Sequence, residues 1–242
     1  MRFRVEDWVA FGPGLGAHPE LTGWSSGMGT ARRATELEEV NLPPMFRRRI
    51  SSAGQTAFRA ASALGEQEVA RFVFCSRYGE LDRTFRILNS IVTAEPISPA
   101  DFTLSVHNAL AGLLSIGWRN TAGHTAVCAG ADTFGFGLLE AVASLNDADA
   151  GAVMLIYFED SVPPPYDELV EKPESRVALS MLLKPPRNER GEFRLAFAPR
   201  SQVNRSMLAT AQSMDFIKFM LSDDLEREFV GDRAQWRWQR CA

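Results

Sequence analysis

Residues 152–158 form an unbroken apolar run closed by Glu159 and Asp160, and then by three prolines at 163–165. A run of that length and composition predicts a strand buried on both faces. Such a strand needs cover on either side. Apolar residues recur at helical spacing over residues 45–64 after Pro43-Pro44, over 81–92, over 105–118 after the breakers Pro96 and Pro99, and over 131–145. Short β-rich segments alternate with them: residues 3–11 (Phe3, Val5, Val9 and Phe11 set among charges), 71–75 and 124–128. Beyond the prolines, residues 177–183 and 193–197 read as two strands of a hairpin. Met207, Leu208, Ala211, Met214, Ile217 and Leu221 form a helical stripe, and Trp236-Arg237-Trp238 alternates so that both indoles share one face. The order predicts an α/β protein, a mixed sheet flanked by helices. The proline run suggests a division into residues 1–162 and a C-terminal extension, 163–242, packing on the same core.

At 242 residues and 45% hydrophobic, the chain can bury one substantial core. A net charge of -4 gives no general attraction to nucleic acid or anionic membranes, and no stretch suits a membrane span. The single basic cluster is Arg47, Arg48 and Arg49. Three cysteines, Cys75, Cys128 and Cys241, form no CxxC pair, which favours a reducing compartment and argues against a structural zinc site. Residues 1–11 lack the apolar core of a signal peptide, so a cytoplasmic protein without metal or cofactor is expected. The run Gly12-Pro13-Gly14-Leu15-Gly16 has the wrong spacing for a dinucleotide fingerprint, and Pro13 removes an amide donor, so it reads as a surface loop.

The best place for chemistry is residues 125–130, where a strand ends in small residues and feeds an apolar helix. Amides at a helix start stabilise a thiolate and can bind an oxyanion. On this ground Cys128 is the best nucleophile candidate. A base is harder to find. His18 lies in the glycine-rich loop, His124 is four residues from Cys128 on the same strand, about 13 Å away at ~3.3 Å per residue, and His107 is unassigned. Asp132 reads as a favourable charge at a helix start.

Residues 97–112, ISPADFTLSVHNALAG, followed by Leu114-Ser115-Ile116, resemble the segment of β-ketoacyl synthases that precedes the active-site elbow, and residues 123–130 resemble the elbow itself. Residues 42–49, LPPMFRRR, resemble an early helix of that N-terminal domain. The resemblance implies half of a thiolase-like layered fold. Laying Thr125 and Ala126 on the family's Thr-Ala-Cys motif, with Gly130 on its glycine, puts Val127 where the nucleophile belongs and displaces Cys128 by one. The family's later catalytic histidines have no counterpart, since no histidine follows His124. The resemblance therefore implies a chain length factor of the kind found in bacterial aryl polyene pathways: a non-catalytic subunit in a heterodimer with a full-length β-ketoacyl synthase, working on chains borne by acyl carrier protein. It implies tunnel or interface positions at Ala100, Asp101, Phe102, Leu104, His107 and Asn108, with Phe102 as the apolar plug. Arg47, Arg48 and Arg49 become candidates for carrier-protein docking. The alternative is an acyltransferase or thioesterase-like enzyme using Cys128.

Overall fold

The structure, a computed structural model, describes residues 1–12, 49–65, 69–146, 151–170, 176–200 and 211–241. Eight strands form one sheet in the order β3-β2-β4-β5-β1-β6-β8-β7. They are β1 (Arg2–Phe11), β2 (Val69–Cys75), β3 (Gly123–Val127), β4 (Ala152–Glu159), β5 (Val177–Lys184), β6 (Phe193–Pro199), β7 (Glu226–Val230) and β8 (Ala234–Arg240). The helices are α1 (Ser52–Ala63), α2 (Leu81–Val92), α3 (Pro99–Leu104), α4 (Ala109–Trp118), α5 (Thr133–Ser144) and α6 (Gln212–Leu221). β2 runs parallel to β3 and β4, while the remaining pairs are antiparallel, so the sheet is mixed as expected.

Every residue of β4 is buried. Its side chains alternate between two cores: Val153, Leu155 and Tyr157 enter one, which contains Phe134 and Leu138 of α5 and Phe216 and Phe219 of α6. Met154, Ile156 and Phe158 enter the other, against Ala57 and Phe58 of α1 and Leu110 and Leu114 of α4. β2 and β5 divide their side chains the same way. The apolar run is thus the shared wall of two cores.

β1 shows how a bulge corrects a misleading pattern. Phe3 and Val5 point into the α5 core, and simple alternation would send Val9 and Phe11 after them. The register shifts between Val5 and Asp7, which reverses the parity. Trp8 then joins the first core and Val9 the second, with Phe11 packed beside it.

Two expectations need correction. Residues 177–183 and 193–197 are strands, but not a hairpin, because β1 lies between them and pairs with both. The polar turn joins strands that are second neighbours. Residues 105–118 are not one helix either: Pro99 occupies the first turn of α3, capped by the Ser98 hydroxyl on the Asp101 amide, and a break at 105–108 separates it from α4. Within the described part of 45–64, helix begins at Ser52 with Ser51 as its cap. Residues 45–48, the loop from Pro13 onward with His18, and Met207 and Leu208 of the last stripe lie outside the described residues.

β8 places Trp236 and Trp238 inward and Arg237 outward. The indoles complete an aromatic cluster with Phe134, Phe136, Phe216 and Phe219. Removing an indole from a buried cluster costs about 3–5 kcal/mol, so Trp238→Ala should lower unfolding free energy by that amount in urea titrations.

Candidate functional site: an elbow beside an outward apolar face

The carboxyl ends of the parallel strands β2, β3 and β4 gather three loops at one end of the sheet. β3 ends at Val127, and Cys128 and Ala129 lead into Gly130, whose φ of +62° suits the only residue without a Cβ. A single 3-10 turn, Gly130–Asp132, opens α5. The Thr133 hydroxyl accepts a bond from the Ala129 amide (2.9 Å) and donates to the Gly130 carbonyl (2.7 Å), fixing the turn. Val127 packs partly against the α5 core. Cys128 is exposed and donates from Sγ to the Arg77 carbonyl at 3.2 Å.

The loop that carries Arg77 is held from below by the buried carboxylate of Glu159, which accepts bonds from the amides of Arg77 and Tyr78 and from the Ser76 hydroxyl. His107 rests against Gly79 of the same loop, close enough that a Cβ on Gly79 would meet its Nδ1 at 2.6 Å. His107 and Cys128 therefore flank one loop without a hydrogen bond between them, and Nε2 of His107 is buried with no partner among the described residues. His124 is exposed on β3. Cys75 is fully buried, and burial, with the charge of Glu159 adding to it, pushes its thiol well above the usual value; it is a packing residue.

Asp132 does more than its position in the sequence indicated. Its side chain is buried, Oδ1 accepts from Trp236 Nε1 at 2.7 Å, and Oδ2 accepts from the Arg233 amide at 2.7 Å. Gly231 presses so closely on this carboxylate that a side chain there has no room. Gln212, the first residue of α6, donates nothing to the elbow but accepts from the Gly135 amide at 2.8 Å. The C-terminal strands and α6 thus occupy the start of α5 on two sides. One first-turn amide is engaged by Gln212, and a carboxylate sits where a helix start would otherwise favour a thiolate. The sequence signal for this clamp was the lone acid opening an apolar helix together with the paired tryptophans, separated by more than a hundred residues.

Beside the elbow, α2 to α4 present the opposite of a normal surface. Arg83 is the sole buried residue of α2, and α3 buries none. Leu88, Ile91 (57% exposed), Val92 (85%), Ile97, Phe102 (67%), Val106 and Ile116 (67%) all face outward. Next in the chain comes β3, an edge strand paired on one side. Among the residues marked out in sequence, Ala100, Phe102 and Asn108 are exposed and Asp101, Leu104 and His107 half-buried, all on or beside this face. Asp101 is engaged by Arg83 and Arg86. Arg49 is exposed, and Arg47 and Arg48 lie outside the described residues.

The family model described as beta-ketoacyl synthase, N-terminal domain, matches residues 22–239. The chain belongs to this family. Among solved structures, the complex of the ketosynthase ApeO with its chain length factor ApeC from Xenorhabdus doucetiae contains a chain 30% identical to this one, superposing with a TM-score of 0.80 over 99% of this chain and 100% of the other. The ishigamide ketosynthase/chain length factor (15% identity, TM-score 0.57, 86% of this chain and 69% of that one) shares the fold. So does the AntDE:AntF assembly, described as a type II PKS acyl-carrier protein in complex with its ketosynthase bound to the hexaketide (16%, 0.55, 82% and 70%). No curated protein sequence matches the chain. The mixed sheet flanked by helices is the thiolase-like layered fold of ketosynthases. No helix among the described residues is long and apolar enough to cross a membrane.

Two outcomes follow from this geometry. Asp132→Ala strands the Trp236 N–H in a buried site, a loss of about 3 kcal/mol, measurable by equilibrium unfolding. The hydrogen bond from Arg86, opposed by partial burial and joined by the charges of Arg86 and Arg83, holds the Asp101 carboxyl below the usual carboxylate range. A carboxyl lowered by folding stabilises the native state above its unfolded pKa, about 3.9, and that contribution vanishes as pH falls through the lower folded value. Acid melts of Asp101→Asn should lack this component, which wild type loses only below about pH 4.

Proposed function

We propose that this chain is a chain length factor: a non-catalytic subunit that pairs with a full-length, active β-ketoacyl synthase and shapes the tunnel in which the growing acyl chain lies. The observation that carries the reading is the outward-facing apolar surface of α2, α3 and α4. A contiguous apolar patch of this kind marks an interaction surface, and here it adjoins an unpaired sheet edge. Isologous or pseudo-symmetric pairing through such a face brings the helices of both subunits against the shared interior. Phe102, exposed on α3, is then placed to close the partner's tunnel, and the neighbouring Ala100, Leu104, His107 and Asn108 line the contact.

The elbow supports the non-catalytic part of the reading. Val127 has no nucleophilic atom, Cys128 points its thiol at a backbone carbonyl, and the start of α5 is taken up by Gln212 and Asp132. The chain similar over its whole length comes from an assembly of a ketosynthase with its chain length factor. Acyl carrier protein would deliver the chain to the complex, steered in part by the basic group at Arg47, Arg48 and Arg49. The aryl polyene type of pathway is the setting proposed, in a cytoplasmic complex, with residues 163–242 acting as an extension that seals the α5 core.

Co-expression with the ketosynthase encoded beside it tests the reading. A one-to-one complex is expected, with elongation that survives Cys128→Ala here and is abolished when the partner's own cysteine is replaced. Turnover by this chain alone, lost in Cys128→Ala, would establish the enzyme reading instead. Placing a charge in the centre of the face, Ile91→Asp, should weaken the complex more than about tenfold, read by analytical ultracentrifugation, and the chain without its partner should self-associate through the same face.

A further inference from the structure

We infer that Asp101 is a positioning residue that sets where Phe102 stands, and so tunes the length of the product; this rests on the chain-length reading above. α3 is six residues long and fully buries no side chain; its apolar hold is the half-buried Leu104, packed on the α1/α4 core. What sets its direction is a polar relay. The Ser51 hydroxyl at the start of α1 donates to Glu80 at 2.7 Å, and Glu80 pairs with Arg83 at 2.7 Å. Arg83, buried in α2, also donates to the Arg49 carbonyl, and its Nη1 reaches Asp101 at 2.9 Å. Arg86 adds a second hold on the same carboxylate, Nη2 to Oδ1 at 3.1 Å.

Asp101 is therefore where a charge network rooted in α1 and α2 grips α3, one residue before Phe102. Charge-assisted bonds with two arginines hold direction as well as distance. The Ser98 cap at the other end of the same turn fixes its start. Loosening the carboxylate leaves α3 to pivot on its Leu104 contact, and the exposed Phe102 ring moves with it. Asp101 itself, turned back toward Arg83 and Arg86, does not face the acyl chain.

The experiment uses the purified complex of this chain with its synthase, comparing Asp101→Asn, Asp101→Glu and Phe102→Ala by product length and by hydrogen exchange. Asp101→Asn should speed exchange of the α3 amides by about tenfold while those of β4 and α5 keep their wild-type rates. It should broaden product lengths toward longer chains with complex stoichiometry retained, and Asp101→Glu should restore much of the wild-type distribution. If Phe102→Ala shifts product length and Asp101→Asn leaves it as in wild type, the positioning role is overturned and the tunnel reading stands. Accelerated exchange throughout β4 and α5 also overturns it, since Asp101 would then hold the whole fold. If neither variant changes product length while α3 exchange rises in Asp101→Asn, the placement of Phe102 in the tunnel fails, and the inference with it.

Discussion

Everything in this molecule depends on burying both faces of β4. A strand with apolar side chains on both sides can exist in water only as a wall between two cores, and each core must then be roofed by helices. α1 and α4 roof one, and α5 and α6 roof the other. The roof over the α5 core is completed by the indoles of β8 and the aromatic rings gathered around Phe134. Because β2, β3 and β4 are parallel, their carboxyl ends deliver three loops to one place, and the elbow exists there as a by-product of the sheet.

On the proposed reading, that elbow keeps the shape of a synthase's nucleophile turn without its chemistry. The turn at Gly130 and the strand-to-helix passage are intact, but the groups that would assist a nucleophile are committed to structure. Asp132 accepts from Trp236 and the Arg233 amide, and Gln212 takes the Gly135 amide. The C-terminal elements thus serve the aromatic core and close the elbow with the same residues. The outward face of α2 to α4 contrasts with it: there a helix buries Arg83 and exposes Leu88, Ile91 and Val92.

The fold class could be read from residues 152–158 and from the alternation of strand and helix patterns, because both express local periodicity. The strand-to-helix passage was legible too, since residues 123–130 lie together in the sequence. What the sequence concealed was pairing across distance. Residues 177–183 and 193–197 looked like a hairpin because a polar turn joins them, and no local signal announces that β1 enters between them. The bulge near Asp7 reversed the parity of β1 for the same reason, being set by the register of its neighbours. The Arg83 hub was hidden because Glu80, Arg83 and Asp101 look individually like ordinary surface charges, and an apolar helical stripe such as Leu81, Phe85, Leu88 and Val92 is normally taken to face inward.

The insertion of β1 between β5 and β6 also governs how the chain comes into being. Residues 2–11 find their hydrogen-bonding partners far along the sequence, in residues 178–184 and 193–194. That strand cannot pair until β5 or β6 is brought to it, and closing so long a loop is slow. Joining the two flanks of the sheet through β1 is thus a slow step of folding.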